Sequence, residues 1–334
     1  MLLLNTVRKW LGLVDHTPVQ VKPRRHRGHP YQYPTSVIIR CYLLMLVLPQ
    51  LRQHATLHKY LQKHALVRRA VGLNHLPHRT TLSRRFQALE SELKARIWAM
   101  GWAFILAGYV QVHILLADGT LYQASGPSWP AKYKKQGILP AKLRHVDTAA
   151  GWGHSPYHGW VWGYRTHPVV GLTADLQPIP LLAEATPADV QDNTLLEKQL
   201  PWLPSEATVM LLDSGYEDEA LMLAWQQTDD HGVHTRWMII DPKQRKGRPS
   251  PWRQQLQVRR ALEEVDLYKL RGKLIEPFFG RWKDAFDLDV VPLQGRAAPV
   301  FLLLALYGYQ LLLWDHLHTG RPLYAYQHLF LGDD

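Results

Sequence analysis

"VHILLADGTLY", residues 112 to 122, decides the fold. Val112, Ile114, Leu115 and Leu116 form a short apolar run that stops at Asp118-Gly119, a pair that favours turns. The stretch therefore predicts a buried strand ending there. Before it, the long apolar segments carry three- and four-residue spacing; after it, strands and helices alternate. The chain changes character near residue 110.

The alternation is specific. "WVWGYRTHPVVGLTADLQPIPLLAEATP" (160–187) predicts two strands joined by a turn near Asp175, and "ADVQDNTLLEKQL" (188–200) a helix. "ATVMLLDSGYEDEALMLAWQQ" (207–227) supplies an apolar strand with Asp213 at its carboxyl end, then a helix. "HTRWMIIDP" (234–242) adds a strand, and the rest is mainly helical. Three strands, a helix, a strand, a helix, a strand and more helices are the order that a ribonuclease-H-like α/β core requires. In such a core the first and fourth strands lie side by side, about 5 Å apart, so Asp118 and Asp213 meet. A third acid must arrive from a later helix. Glu276 is the candidate, with Glu263 and Glu264 as rivals.

Length and charge bound the rest. The 334 residues are enough for a core domain and a smaller accessory one. With 39 Lys plus Arg against 28 Asp plus Glu, the net charge of +11 points to a polyanionic partner. Cys41 is the single cysteine, which excludes a disulfide framework and a cysteine zinc finger and fits a reducing cytosol. "CYLLMLVLP" (41–49) is too short to span a bilayer. "AAPVFLLLALYGYQLLLW" (297–314) holds Pro299 and Gln310 and reads as a buried core helix. "MLLLNTVRKWLGLV" carries its charges after its apolar run, unlike a signal peptide.

Residues 1–34 read as an amino-terminal arm, with prolines and basic residues in "TPVQVKPRRHRGHPYQYP" (17–34). Residues 35–105 read as an all-helical DNA-binding domain and 106–320 as the catalytic domain. Within the helical part, "NHLPHRTTLSRRFQAL" (74–89) offers Thr80 or Thr81 as a helix cap, with Arg84 and Arg85 on the first turns and Arg79 ahead of them. Such a helix suits a major groove, and it equally suits a basic protein surface.

Asp118, Asp213 and Glu276 are the residue types that hold hard divalent cations, Mg²⁺ or alternatively Mn²⁺. Two such ions roughly 3.5–4 Å apart catalyse phosphodiester transfer, one activating the attacking hydroxyl and one stabilising the leaving oxygen. "LLADGT", "LLDSGYEDEAL" and "YKLRGKLIEPFFGRWK" (268–283) resemble the three acidic motifs of bacterial insertion-sequence DDE transposases. The likeness is to the set with a Tyr, Arg, Glu and Lys signature, insertion-sequence groups four and five. It extends over about 105–315 and includes "GYRTHPVVGL", "LLAEATPADVQDNTLL" and, ahead of the core, "RTTLSRRF". It implies catalytic, metal-holding roles for Asp118, Asp213 and Glu276. Tyr268, Arg271 and Lys283, with Arg79, Arg84 and Arg85, are then DNA contacts. The implied partners are double-stranded DNA, as terminal inverted repeats and target, and a second copy of the chain; no membrane is implied, and the location is the bacterial cytoplasm.

One spacing departs from that signature. Four residues rather than three separate Arg271 from Glu276, while six separate Glu276 from Lys283. On a continuous helix Arg271 and Glu276 would lie about 140° apart. A helix restarting at Pro277, capped by Glu276, would remove the conflict.

Other features carry less. His145, His154, His158 and His167 lack the spacing of a zinc site and read as loop residues. Trp237, Trp252 and Trp282 suit either a core or an unpaired base. No phosphate loop of the NTPase type is present. Two further readings stay open, a DNA-binding protein derived from a transposase and a metal-dependent nuclease.

Overall fold

The computed structural model describes residues 8, 11–14, 33–155, 159–228, 230, 234–240, 250–261 and 267–323. Most of the arm, and also His158, Glu263 and Glu264, lie outside the described residues.

The strand that opened the sequence reading is present, but it does not end at Asp118-Gly119. β1 (Gln111–Ala117) and β2 (Thr120–Ala124) both run antiparallel to one long partner, β4 (Gly159–Leu172). β1 takes the Val169–Leu172 end and β2 the Gly163–Thr166 end. Asp118 and Gly119 thus interrupt one extended path. The other side of β4 carries β5 (Pro178–Pro187), after a turn that contains Asp175 as expected, and the short β3 (Gly151–Ser155).

β6 (Val209–Leu212) lies parallel to β1, and β8 (His234–Ile240) parallel to β6. The order β5-β4-β1-β6-β8, with the first two antiparallel to the rest, is a mixed sheet that fits a ribonuclease-H-like core. β3 and two-residue pieces, β7 (Gln227–Thr228) and β9 (Val290–Val291), were not legible as strands.

Helices cover the stretch before the sheet: α1 (Thr35–Val47), α2 (His54–Lys63), α3 (Ala65–Ala70), α4 (Arg79–Gln87) and α5 (Glu90–Leu106). α4 is capped by His78, whose side chain accepts from the Thr80 N–H, not by Thr80 or Thr81. Arg84 and Arg85 consequently fall in its last turn.

Later helices are α6 (Ala131–Gln136), α7 (Asp192–Gln199), α8 (Glu219–Trp225), α9 (Pro251–Ala261), α10 (Leu267–Phe286) and α11 (Ala297–Thr319). α11 is long and apolar enough to cross a membrane, yet 89% of its most apolar window is buried within the protein. It packs on α5, β5 and α1, so it is apolar all round, as a fully enclosed helix must be. Each Leu enclosed this way contributes about 1.5–3 kcal/mol. Gln310, its polar interruption, donates from Nε2 to the carbonyls of Ile97 and Pro180, 2.9 and 2.8 Å away. Close approach also explains Gly101 in α5, where a β-carbon would stand 2.5 Å from the Leu181 carbonyl oxygen of β5. One continuous buried cluster joins these helices to the sheet.

Candidate active site

Strand register sets the site. Leu116 of β1 pairs with Leu211 of β6, and Asp118 and Asp213 each follow two residues later. Their backbones therefore leave the sheet at the same level on neighbouring parallel strands, about 4.8 Å apart. Asp213 Oδ1 accepts the Gly215 N–H at 2.7 Å, closing a short turn. Asp118 Oδ1 accepts the Gly119 N–H at 2.8 Å.

Arg271 of α10 completes the pair. Its Nη1 donates to Asp118 Oδ2 at 2.8 Å, with both side chains largely buried. Burial pushes the Asp118 carboxyl up to about 7; Arg271 pulls it down, Asp213 pushes it up, and the Gly119 N–H and Asp192 act more weakly in opposite senses. Burial works against the charge of Arg271, but Asp118, Tyr268 and Asp213 outweigh it and raise its proton affinity. The guanidinium also lies 5.7 Å from the centroid of the Tyr268 ring.

A third carboxylate stands closer to Asp118 than the sequence indicated. Asp192 opens α7 and binds Arg165 of β4 through Oδ2. Its Oδ1 is buried with no hydrogen-bond partner. A β-carbon on Gly119 would sit 2.4 Å from that oxygen, so the residue after Asp118 has to be glycine for α7 to approach. The signal for Asp192 was its place at the start of the helix after the third strand; nothing distinguished it there from a dipole-stabilising acid.

The expected helix restart at Pro277 does not occur. α10 runs unbroken from Leu267 to Phe286 with Pro277 inside it. Ile275, Phe278, Phe279, Trp282, Ala285 and Phe286 form its buried face, and by helical geometry Arg271 lies on that side. Glu276 stands about 140° around from Arg271 and only about 20° from Lys283. Glu276 is exposed. Lys283 is half-buried; its Nζ donates to the Leu121 carbonyl of β2 at 2.8 Å and lies 4.8 Å from the Tyr122 ring centroid. Burial lowers its proton affinity, with Asp289 opposing. Lys283 is thus not a solvated charge on a basic helix.

The other acids of "LLDSGYEDEAL" have structural tasks. Glu217 pairs with Arg253 of α9, and Asp218 caps α8 by accepting the Leu221 N–H at 2.9 Å. His167 is neither a loop residue nor a metal ligand: it is fully buried in β4, bonded to Gln199 at 3.0 Å and to the Tyr216 hydroxyl. Burial holds it towards the neutral form. His145 is exposed, and His154 lies edge-on to Trp160 in the β3–β4 pair. Trp282 is enclosed between Phe278 and Tyr122, a core position, while Trp237 and Trp252 are partly buried. On α4, Arg79 and Arg84 are exposed, and Arg85 reaches Thr35 Oγ1 at 3.4 Å.

The donors near Asp118 are all carboxylate oxygens, and the buried Asp192 Oδ1 is an acceptor in search of a cation; this chemistry suits Mg²⁺ or Mn²⁺. Among the described residues, no three His, Cys, Asp or Glu side chains are drawn together as a metal cage. Arg271 is the cation that Asp118 holds.

Residues 113–308, more than half of the chain, match the family model of the transposase DDE domain. No curated protein matches the chain. The cryo-EM structure of a piggyBac transposase synaptic complex with hairpin DNA aligns over 98% of this chain and 75% of its own, at 6% identity and a TM-score of 0.43, a likeness too slight to carry an argument.

Proposed function

Because the chain belongs to the transposase DDE-domain family, and is thereby a DDE-type DNA transposase, we propose that it moves an insertion sequence. In this reading it binds the terminal inverted repeats, cuts there and joins the freed 3′-hydroxyl to target DNA, acting as a homodimer in the bacterial cytoplasm. The observation that supports it best is the shared level of Asp118 and Asp213 on β1 and β6, inside the matched segment.

Asp118 and Asp213, with Glu276 from α10, are the proposed ligands of Mg²⁺ or Mn²⁺, which when bound supplies activation of the attacking hydroxyl and stabilisation of the leaving oxygen. Glu276 suits the role because it is exposed and shares a flank of α10 with Lys283, which reaches β2. Arg271 keeps the buried Asp118 carboxyl within reach of ionisation near neutral pH, offsetting much of the desolvation. Tyr268, Arg271 and Lys283 are proposed to position DNA at the acids. Arg79, Arg84 and Arg85 of α4 are proposed contacts of the 35–105 DNA-binding region, the first two exposed and available to phosphates.

The test is metal-dependent nicking and strand transfer by the full chain on duplexes carrying its element ends. Asp118→Ala, Asp213→Ala and Glu276→Ala should each abolish cleavage while retaining end binding. Wild-type cleavage by Asp213→Ala would refute the assignment. Retained cleavage in Glu276→Ala with loss in Glu263→Ala or Glu264→Ala would move the third acid. Nicking without joining would favour a nuclease.

A further inference from the structure

We propose that a cavity beside β2, β3 and β4 is a site for one unpaired DNA base, an inference that rests on the transposase reading for its ligand. The cavity measures about 530 Å³, and Trp152, Trp160 and Trp162 contribute to its wall together with Lys283 and Asp289. That volume lies within the range of small-ligand sites, roughly 300–1,000 Å³.

The three tryptophans are not equivalent. Trp152 is engaged, its indole N–H donating to the Trp129 carbonyl at 2.8 Å. Trp162 is 3% exposed, Lys134 covers its ring at 5.0 Å, and its indole nitrogen is buried with no hydrogen-bond partner. A buried donor in a cavity wall calls for an acceptor, and the ring nitrogens and carbonyl oxygens of a base are acceptors. Trp160 is 70% exposed, an open face of the size and polarisability on which a base stacks irrespective of its identity. Asp289 adds an acceptor for an exocyclic amine and Lys283 a cation.

Position and charge agree with that occupant. Leu121, in the wall, follows Asp118 by three residues along the β1–β2 path, a reach of at most about 11 Å. A base held there belongs to a nucleotide within a few steps of the phosphate being cut. Lys132, Lys135, Lys142 and Arg144 are exposed on the segment between β2 and β3, whose Gly126 and Ser128 also line the cavity. They place positive charge where the backbone of that nucleotide would run.

The experiment compares two duplexes of the same sequence, one blunt and one with a three-nucleotide single-stranded overhang bearing 2-aminopurine. Affinity and 2-aminopurine fluorescence are read on the full chain, on Trp160→Ala and on Trp160→Phe. The unaltered chain should prefer the overhang by roughly 5- to 150-fold, the equivalent of one stacked base, and quench its fluorescence. Trp160→Ala should remove both effects and leave blunt-duplex affinity unchanged; Trp160→Phe should restore part of them. Equal affinity of the unaltered chain for the two duplexes, or a preference that survives in Trp160→Ala, overturns the site. Cleavage of the same DNA with Mg²⁺ is scored separately. Preference without cleavage supports the base site and counts against the transposase reading, whereas cleavage without preference does the reverse.

Discussion

Arg271 reaches across 153 residues of sequence to put a guanidinium nitrogen 2.8 Å from Asp118 Oδ2. The contact ties α10 to the break between β1 and β2, and it supplies the cation that makes burial of the Asp118 carboxylate tolerable. With side chains only 13% and 18% exposed, neither partner has ready access to water as a substitute. Removing one partner of such a pair is costly, because the other is left buried and uncompensated.

Arg271→Ala should therefore destabilise the chain by about 3–5 kcal/mol at pH 8, where Asp118 is left ionised. At pH 6 the loss should be smaller, since without Arg271 the carboxyl binds its proton more tightly and becomes neutral. Urea unfolding at both pH values measures this. An equal loss at the two would show that Arg271 acts through packing on Tyr268 and not through Asp118.

Asp118 itself predicts a stability profile. Its carboxyl is raised from 3.8 to about 7 by burial first, so between those values the folded chain holds a proton that the unfolded chain has released. The folded state is favoured below that window, and stability falls as pH rises through it. A tenfold difference in proton affinity is worth about 1.4 kcal/mol. Asp118→Asn has no such titration, so its stability should fall less than that of the unaltered chain between pH 5 and pH 8. Parallel profiles would count against a raised carboxyl.

Gly119→Ala should place a methyl group 2.4 Å from Asp192 Oδ1 and push α7 from the Asp118 turn. A loss of about 1–3 kcal/mol is expected, as for other overpacked sites. The sign of the coupling identifies the cause: in an Asp192→Ala background the alanine at 119 should cost much less than in the unaltered chain. Additive effects in that double-mutant cycle would mean that Gly119 is needed for backbone conformation alone.

The sheet was legible because its strands declare themselves locally. "VHILLADGTLY" and "ATVMLLDSGY" are apolar runs ending in an acid, and parallel pairing converts that shared pattern into a shared level for Asp118 and Asp213. Strand ends were less legible: Asp118-Gly119 reads as a turn from local chemistry, but pairing with β4 continues the strand past it. Pro277 misled for a similar reason. Its penalty inside a helix is local, about 3 kcal/mol, whereas Phe278, Phe279 and Trp282 bury their side chains only if the helix continues. The Arg271 and Asp192 contacts with the Asp118 turn depend on distant segments meeting, which no spacing in the chain encodes.

Lys283 separates anchoring from DNA contact. Its ammonium already serves the Leu121 carbonyl and the Tyr122 ring, so Lys283→Met, which keeps an apolar stem and removes the charge, should lower stability by about 1–2 kcal/mol. If the ammonium also meets a phosphate once DNA is bound, the salt dependence of DNA binding should become shallower by about one counterion in the same variant. Lys283→Arg should recover part of the strand-transfer yield, since a planar fork can reach phosphate but fits the Leu121 carbonyl less well than a point charge. Lost stability with an unchanged salt slope would confine Lys283 to holding α10 on β2. A shallower slope together with lost stability would mean that DNA draws the ammonium from Leu121, in which case α10 and β2 should become more open to hydrogen exchange in the complex than in the free protein.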